Sequence, residues 1–177
     1  MNHLRPFIIL LFSFCFSLIA QEKIPDERGF IVRIGDQAPD FEMTFPDGKT
    51  QRLSDYLGKP VMLQFTASWC SVCQKEMPYI ESEIWKPFKD NGLVLFGIDR
   101  DEPVDTVIKF AEKTKITYPL ALDPEARIFG LYADKQSGVT RNVIIDRKGK
   151  IVFLTRLFDQ EEFRSMIEKI KEMLTEE

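Results

Sequence analysis

The sequence predicts an α/β domain in which a central mixed sheet is flanked by helices and preceded by an N-terminal β-hairpin. Two continuous apolar runs, Val61–Thr66 and Leu93–Ile98, have the composition of buried parallel strands, and each is followed by an amphipathic helical pattern. Two other segments alternate apolar and polar residues around short turns, which predicts antiparallel hairpins. A chain of 177 residues is long enough for one such domain with a sizeable core.

Residues 1–20 have the pattern of a secretory signal peptide. His3 and Arg5 form a weak basic start, an apolar stretch runs over Phe7–Ile19, and Ala20 ends a small-residue cleavage site. The apolar stretch is short for a bilayer span, which needs about 20 residues, and an uncleaved membrane anchor is the alternative. The polar segment 21–33 is predicted to be a leader or linker before a domain over residues 34–177.

The first half of the domain is predicted as a hairpin, a short helical turn, a buried central strand and a helix. The turn signal Pro46-Asp47-Gly48 indicates the hairpin, and Pro78 should kink the helix. A short strand at Phe30–Ile34 is a candidate for the entry to the domain. The segments are Phe41–Phe45 and Lys49–Leu53 for the hairpin, Ser54–Gly58 for the turn, Val61–Thr66 for the strand, and Met77, Ile80, Ile84 and Phe88 for the apolar stripe of the helix.

The second half is predicted as a strand, a helix, a short strand, a short helix, a hairpin and a final helix. Asp159 should cap the final helix, with Glu162 completing a capping box. The charged tract Asp99–Glu102 is expected to be a solvated loop at a strand end. The segments are Leu93–Ile98, a helix from Asp101–Pro103 with Val104, Val107, Phe110 and Ala111 facing inward, Leu120–Leu122, Asp123–Tyr132, the hairpin Asn142–Asp146 with Ile151–Leu154, and a last helix with Phe163, Met166, Ile167, Ile170 and Leu174 inward.

Two cysteines, Cys70 and Cys73, stand between the strand Val61–Thr66 and the helix that follows it. Unpaired N–H groups and the dipole at a helix start favour an anion, so a thiol at Cys70 should have a lowered pKa, in the range of about 3.5–7.5. Residues three apart share one helix face, which lets Cys73 attack a mixed disulfide formed at Cys70. The alternatives are a small staple disulfide or two buried cysteines that act as small apolar side chains.

The motif Trp69-Cys70-Ser71-Val72-Cys73 after a strand, with Pro78 in the following helix, resembles the thioredoxin superfamily. The closer resemblance is to exported TlpA/ResA-type thiol–disulfide oxidoreductases, over about residues 34–174. This resemblance implies a thioredoxin-like fold and a redox-active Cys70–Cys73 disulfide.

Glu76 is a further candidate for a catalytic role. It follows Cys73 by three positions, so it lies on the helix face that carries the thiols. A carboxyl half-buried there would have a raised pKa and would be able to take the proton that Cys73 must lose. TlpA/ResA-type proteins carry a glutamate at this position; the alternative is a solvated glutamate on the helix surface.

Three other residues are candidates for a substrate-binding loop around the thiols. Trp69 would either shield Cys70 or pack in the core. Thr140 falls where the superfamily has a cis-proline beside the thiols, and a non-proline cis bond costs about 2.5–4 kcal/mol, so the bond before Thr140 is expected to be trans. Arg141 would favour a thiolate if it pointed at the cysteines, and is otherwise a surface residue on a strand edge.

Composition excludes several kinds of site. The chain carries 24 Lys and Arg against 28 Asp and Glu, a net charge of −4, so we expect no nucleic-acid surface. Removal of residues 1–20 would take away His3 and Cys15, leaving two cysteines and no histidine. A structural zinc site uses about four N or S ligands, and a Cys–His nucleophile pair needs a histidine. We therefore expect no stable metal and no other cofactor.

The sequence thus predicts an exported thiol–disulfide oxidoreductase that reduces disulfides in extracytoplasmic partner proteins and is reset by a membrane electron donor. It would be periplasmic after cleavage, or anchored by the uncleaved N-terminal segment. One alternative is a peroxiredoxin-like thiol peroxidase, for which Thr66 lies four residues before Cys70 but the proline of that pattern is missing. Another is a non-catalytic binding module with an inert disulfide.

Overall fold

The computed structural model of the protein describes residues 24–175, which form a seven-stranded mixed sheet with helices on both faces. The predicted signal peptide lies outside the described residues. The strands are β1 (Glu42–Thr44), β2 (Thr50–Arg52), β3 (Val61–Thr66), β4 (Val94–Arg100), β5 (Leu120–Asp123), β6 (Arg141–Ile145) and β7 (Ile151–Arg156). The helices are α1 (Ser71–Tyr79), α2 (Lys86–Phe88), α3 (Val104–Thr114), α4 (Phe129–Tyr132) and α5 (Gln160–Thr175), with a π-helix at Ile80–Trp85 and 3-10 turns at Leu53–Tyr56, Lys89–Asn91 and Pro124–Ala126.

The strand order is β2-β1-β5-β4-β3-β6-β7. β3 pairs in parallel with β4 and antiparallel with β6, and β4 pairs in parallel with β5. The predicted central position of β3 is therefore confirmed, and all six of its residues are buried. Both hairpins predicted from alternation also form, as β1–β2 and β6–β7. Burial on both faces explains why β3 reads as a continuous apolar run rather than an alternating one.

The two faces of the sheet carry separate apolar clusters. On one face, buried residues of α1, the π-helix, α3 and α5 pack with Met62 and Ile144. On the other face, α4 and the N-terminal segment pack with Phe65 and Val143. Neighbouring residues of β3 and β6 therefore serve opposite clusters, as strand geometry requires. Within residues 24–175, no helix combines the length and apolar character needed to cross a bilayer.

The helix after the cysteines changes its hydrogen bonding soon after Pro78. α1 ends at Tyr79 and continues as the π-helix Ile80–Trp85. Proline has no N–H to donate to the preceding turn and crowds it, which accounts for a disturbance here. The predicted apolar stripe survives the change, since Met77, Ile80 and Ile84 are fully buried.

The N-terminal segment differs from the prediction of a short strand at Phe30–Ile34. Only an isolated bridge between Phe30 and Ala133 forms, because the chain turns at Asp26, whose carboxylate accepts the N–H of Phe30 at 2.8 Å. Phe30 and Val32 are each 1% exposed. Part of the segment assigned to a leader thus packs against the domain, and the apolar side chains at its end supply the reason.

The helices of the second half largely follow the prediction. In α3, Val107 and Phe110 are buried, but Val104 is 39% exposed and does not face inward, because it lies in the first turn at the edge of the cluster. Asp159 caps α5, and its carboxylate accepts the N–H of Glu162 at 2.8 Å. The second hydrogen bond of a capping box would run from the N–H of Asp159 to the Glu162 carboxylate. Here that carboxylate instead accepts from the Arg28 side chain and the N–H of Arg156.

Candidate active site

Cys70 and Cys73 form a disulfide at the start of α1, with their Cα atoms 5.3 Å apart. Cys70 is the N-cap residue, and its sulfur accepts the N–H of Cys73 at 3.2 Å. Cys73 is buried, whereas Cys70 is half-buried. β3 ends four residues earlier, at Thr66, so the strand delivers the first sulfur to the helix N-terminus. A thiolate at Cys70 would meet an aligned N–H donor and the positive end of the helix dipole.

Thr140 touches both sulfurs. Its hydroxyl oxygen lies 3.0 Å from Cys70 Sγ and 3.1 Å from Cys73 Sγ, and the residue is 2% exposed. No cis peptide bond occurs among the described residues, so the bond before Thr140 is trans. The Thr140 carbonyl accepts the N–H of Leu157 at 3.2 Å, which ties the loop to the end of β7. The Thr140 hydroxyl therefore lies beside the two sulfurs, at the position where the thioredoxin resemblance implies a cis-proline.

Glu76 is buried on the same face of α1 as Cys73, with 1% of its surface exposed. Its carboxylate accepts the Asn142 side-chain N–H at 2.7 Å and the Gln64 side-chain N–H at 3.3 Å. Burial raises the pKa of Glu76 to about 7, against the lowering effect of these two amide donors. The carboxyl is thus close to half ionised at neutral pH, as a proton-transfer group should be.

Polar residues inside the strands complete this network. The Gln64 side-chain oxygen accepts the Tyr118 hydroxyl at 2.6 Å, and Asn142 also donates to Thr155 at 2.8 Å. Gln64 and Asn142 face each other across the β3–β6 pair. Neither residue was predicted to belong to the site, although a polar residue within an otherwise apolar buried strand indicates a buried hydrogen-bonding position.

The structure excludes a core position for Trp69 and a surface position for Arg141. Trp69 is 63% exposed, so it is not a core residue. Arg141 is fully buried and lies neither on the surface nor among the described hydrogen-bond partners of the cysteines. Its guanidinium stands 4.7 Å from the ring centroid of Phe30 and donates to Ser137 Oγ at 2.6 Å. Burial, with the nearby charge of Arg156, lowers the pKa of Arg141 to about 10.

A second buried carboxyl lies at the end of β4, where a solvated loop was expected. Asp99 is fully buried, and neither of its oxygens meets a hydrogen-bond donor within residues 24–175. Burial, together with the charges of Glu102 and Asp123, raises the pKa of Asp99 to about 8. Glu102 accepts the backbone N–H and the hydroxyl of Ser68, each at 2.5 Å. The Glu102 carboxylate therefore fixes Ser68 in the loop that leads into Cys70.

Comparison with known proteins places this site in a family. A sequence profile of the AhpC/TSA family matches residues 34–154. The chain belongs to that family. The thiol–disulfide oxidoreductase ResA of Geobacillus thermodenitrificans is 33% identical over 141 residues, which is 79% of this chain and 79% of that protein. ResA of Bacillus cereus is 35% identical over 121 residues, 68% of each chain.

Solved structures of related proteins share the fold. A Bacteroides thetaiotaomicron protein proposed to be a protein disulfide isomerase has a TM-score of 0.81 and 60% identity, covering 84% of this chain and 94% of that one. A thiol:disulfide interchange protein from Chlorobium tepidum has a TM-score of 0.65 and 25% identity, covering 81% and 98%. The predicted thioredoxin-like fold is confirmed, and so is the assignment as a thiol–disulfide oxidoreductase.

The peroxidase alternative rests on the position of Thr66 four residues before Cys70. The hydroxyl of Thr66 lies 3.3 Å from the sulfur of Met77. Around the reactive sulfur the structure shows Thr140 and the N–H of Cys73 instead.

Proposed function

We propose that the protein reduces disulfide bonds in extracytoplasmic proteins, with Cys70 as the nucleophile and Cys73 as the resolving thiol. The position of Cys70 carries this proposal. Its sulfur caps α1, accepts the N–H of Cys73 at 3.2 Å and is the more accessible of the two. Only an accessible thiolate can attack a disulfide of another protein.

The reduction proceeds in two exchanges. The Cys70 thiolate attacks one sulfur of the client disulfide, a mixed disulfide forms, and the other client sulfur leaves as a thiolate. Cys73 then loses its proton and attacks Cys70 Sγ, which closes the Cys70–Cys73 disulfide and releases the second client thiolate. Two electrons pass from the dithiol to the client. The two client thiolates take up one proton that Cys73 gave up and one proton from solvent, which Cys70 released when it became a thiolate.

Glu76 takes the proton from Cys73 in this scheme. The two side chains are buried on the same face of α1, three residues apart. With its pKa raised by burial to about 7, the Glu76 carboxylate is available as an acceptor at neutral pH and can later release the proton.

Export and a membrane electron donor belong to the same proposal. The pattern of residues 1–20 supports secretion, and a reductase outside the cytosol needs a partner that returns its cysteines to the dithiol state. Mass spectrometry of the protein recovered from cells should give a chain that begins at Gln21 if the signal is cleaved. An intact N-terminus in the membrane fraction would indicate the anchored form.

Reduction of insulin disulfides tests the activity. The wild-type protein, supplied with dithiothreitol, should accelerate insulin reduction well above the reductant alone, and Cys70→Ser should abolish the acceleration. The matched variant Cys73→Ser should instead accumulate a mixed disulfide, because the second exchange is blocked. Wild-type activity no higher than that of Cys70→Ser would refute the proposal.

The reduction potential of the cysteine pair tests the direction of electron flow. A reductase should lie near thioredoxin, at about −270 mV, whereas a strong oxidant such as DsbA lies at about −120 mV. A potential below about −300 mV would favour the alternative of an inert structural disulfide.

A further inference from the structure

The hydroxyl of Thr140 lies between two sulfurs that both become thiolates during the proposed reaction. Its distances to Cys70 Sγ and Cys73 Sγ are 3.0 Å and 3.1 Å, so one small group is within hydrogen-bond reach of both. Within residues 24–175 these sulfurs are its only hydrogen-bond partners. The hydroxyl proton is therefore not committed to any other acceptor.

The surroundings keep this hydroxyl in place and keep water away from it. Thr140 is 2% exposed, and its carbonyl accepts the N–H of Leu157 and the Arg156 guanidinium, at 3.2 Å and 3.3 Å. Leu157 has a left-handed backbone, with φ of 68°, at the end of β7. A buried donor that is already oriented stabilises an anion more than a donor that must first be freed from water.

We propose that Thr140 is a catalytic residue whose hydroxyl donates a hydrogen bond first to the Cys70 thiolate and then to the Cys73 thiolate. This inference deepens the proposed disulfide reduction and rests on it. In the reduced protein the hydroxyl supports the anion at Cys70. Once Cys70 is bonded to the client, the same O–H turns to Cys73 as that thiol gives its proton to Glu76. No proton leaves Thr140 in either exchange.

Threonine differs here from the proline expected by resemblance to thioredoxins. Proline offers no hydroxyl and no N–H, so it cannot supply this hydrogen bond. The substitution therefore adds a donor at a position where the superfamily pattern has none.

Thiol titration of Thr140→Val and Thr140→Ser tests the inference. Valine keeps the shape and removes the donor, whereas serine keeps the donor. The pKa of Cys70 is measured by ultraviolet thiolate absorbance in a Cys73→Ser background, and that of Cys73 in a Cys70→Ser background. We expect valine to raise both pKa values by about one unit, a tenfold loss of thiolate below the pKa, and serine to leave both nearly unchanged.

Two other charged groups, Glu76 on α1 and Arg156, which donates to the Thr140 carbonyl, are the same in all variants. Equal pKa values in the valine variant and the wild type would overturn the inference, as would an equal rise in the serine variant. A rise at Cys70 alone would overturn the second transfer of the hydrogen bond. If the valine variant does not fold, Thr140→Ala is compared with Thr140→Ser.

These titrations need no client protein. A wild-type protein that fails to reduce insulin, but shows the expected pKa pattern, would reject the proposed function while the hydrogen bonds from Thr140 to the two thiolates would still stand.

Discussion

Glu76 on α1 and Asp99 at the end of β4 are two buried carboxyls, and they differ in their partners. Glu76 receives two side-chain amide N–H groups, at 2.7 Å and 3.3 Å. Asp99 receives no donor from the described residues and faces the carboxyls of Glu102 and Asp123. Burial raises both pKa values, to about 7 for Glu76 and about 8 for Asp99.

The difference lies in hydrogen bonding to the ionised form, which two amide donors supply to Glu76 and no described residue supplies to Asp99. Amide donors favour the ionised form of Glu76 and offset part of the desolvation cost, which keeps its pKa close to neutral. Asp99 lacks that support and is mostly protonated at pH 7, when its O–H can be donated to Glu102. Glu102 in turn anchors Ser68, two residues before Cys70. The first carboxyl suits proton transfer, and the second suits support of the loop.

Replacement of Glu76 by glutamine should have the largest effect. The amide keeps the size of the side chain but cannot take a proton from Cys73, so resolution of the mixed disulfide should slow about 100-fold above pH 7. In the wild type the rate should rise with pH around the Glu76 pKa of about 7, and Glu76→Gln should lack this rise. Rapid-mixing kinetics with a chromogenic disulfide measure both effects.

Glu81→Gln is the matched control for this experiment. Glu81 is also buried, but its carboxylate accepts the N–H and the hydroxyl of Thr117, at 2.7 Å and 2.8 Å. Its replacement should leave the pH dependence of resolution unchanged. An identical profile for Glu76→Gln and the wild type would exclude Glu76 as the proton acceptor.

Asp99→Asn should instead raise the free energy of unfolding, by an amount that grows as pH rises. The folded-state pKa of Asp99 is raised from 3.8 to about 8, so the folded protein binds the extra proton and its stability falls as pH rises across that window. Asparagine has no charge to bury and can donate to Glu102. We expect the gain in the free energy of unfolding of the variant over the wild type to be larger near pH 8.5 than near pH 5, by about 4 kcal/mol.

Urea denaturation at the two pH values measures this difference. Asp101→Asn, at an exposed position two residues after Asp99, serves as the control and should alter stability little at either pH. A gain for Asp99→Asn that is equal at both pH values would mean that ionisation of Asp99 is not its cause.

The position of the thiol pair could be predicted because it depends on local sequence. An apolar strand, a short turn and an amphipathic helix put Cys70 at a helix N-cap in any compact arrangement of those elements. Glu76 followed from helix spacing in the same way. The hairpins could be predicted equally well, since the alternating residues and the turn residues lie within a few positions of each other.

The partners of these residues depend on contacts between distant parts of the chain. Asn142 reaches Glu76 because β6 pairs with β3 in one register, and a shift of one residue would turn it to the other face. Arg141 is buried against Phe30, from a segment that reads as a leader. Arginine is mostly exposed in proteins, so neither its burial nor its direction follows from the strand pattern alone.

Removal of the stronger amide donor should make Glu76 resemble Asp99. Asn142→Leu deletes the hydrogen bond of 2.7 Å and leaves only Gln64, at 3.3 Å. A donor to the ionised form lowers a pKa, so its loss should raise the pKa of Glu76 by about one unit, and the pH-dependent rise in resolution rate should move up equally. Thr155→Val is the control, because it removes another partner of Asn142 without a described contact to Glu76. If the rise stays in place in Asn142→Leu, the amide donors do not distinguish the two carboxyls.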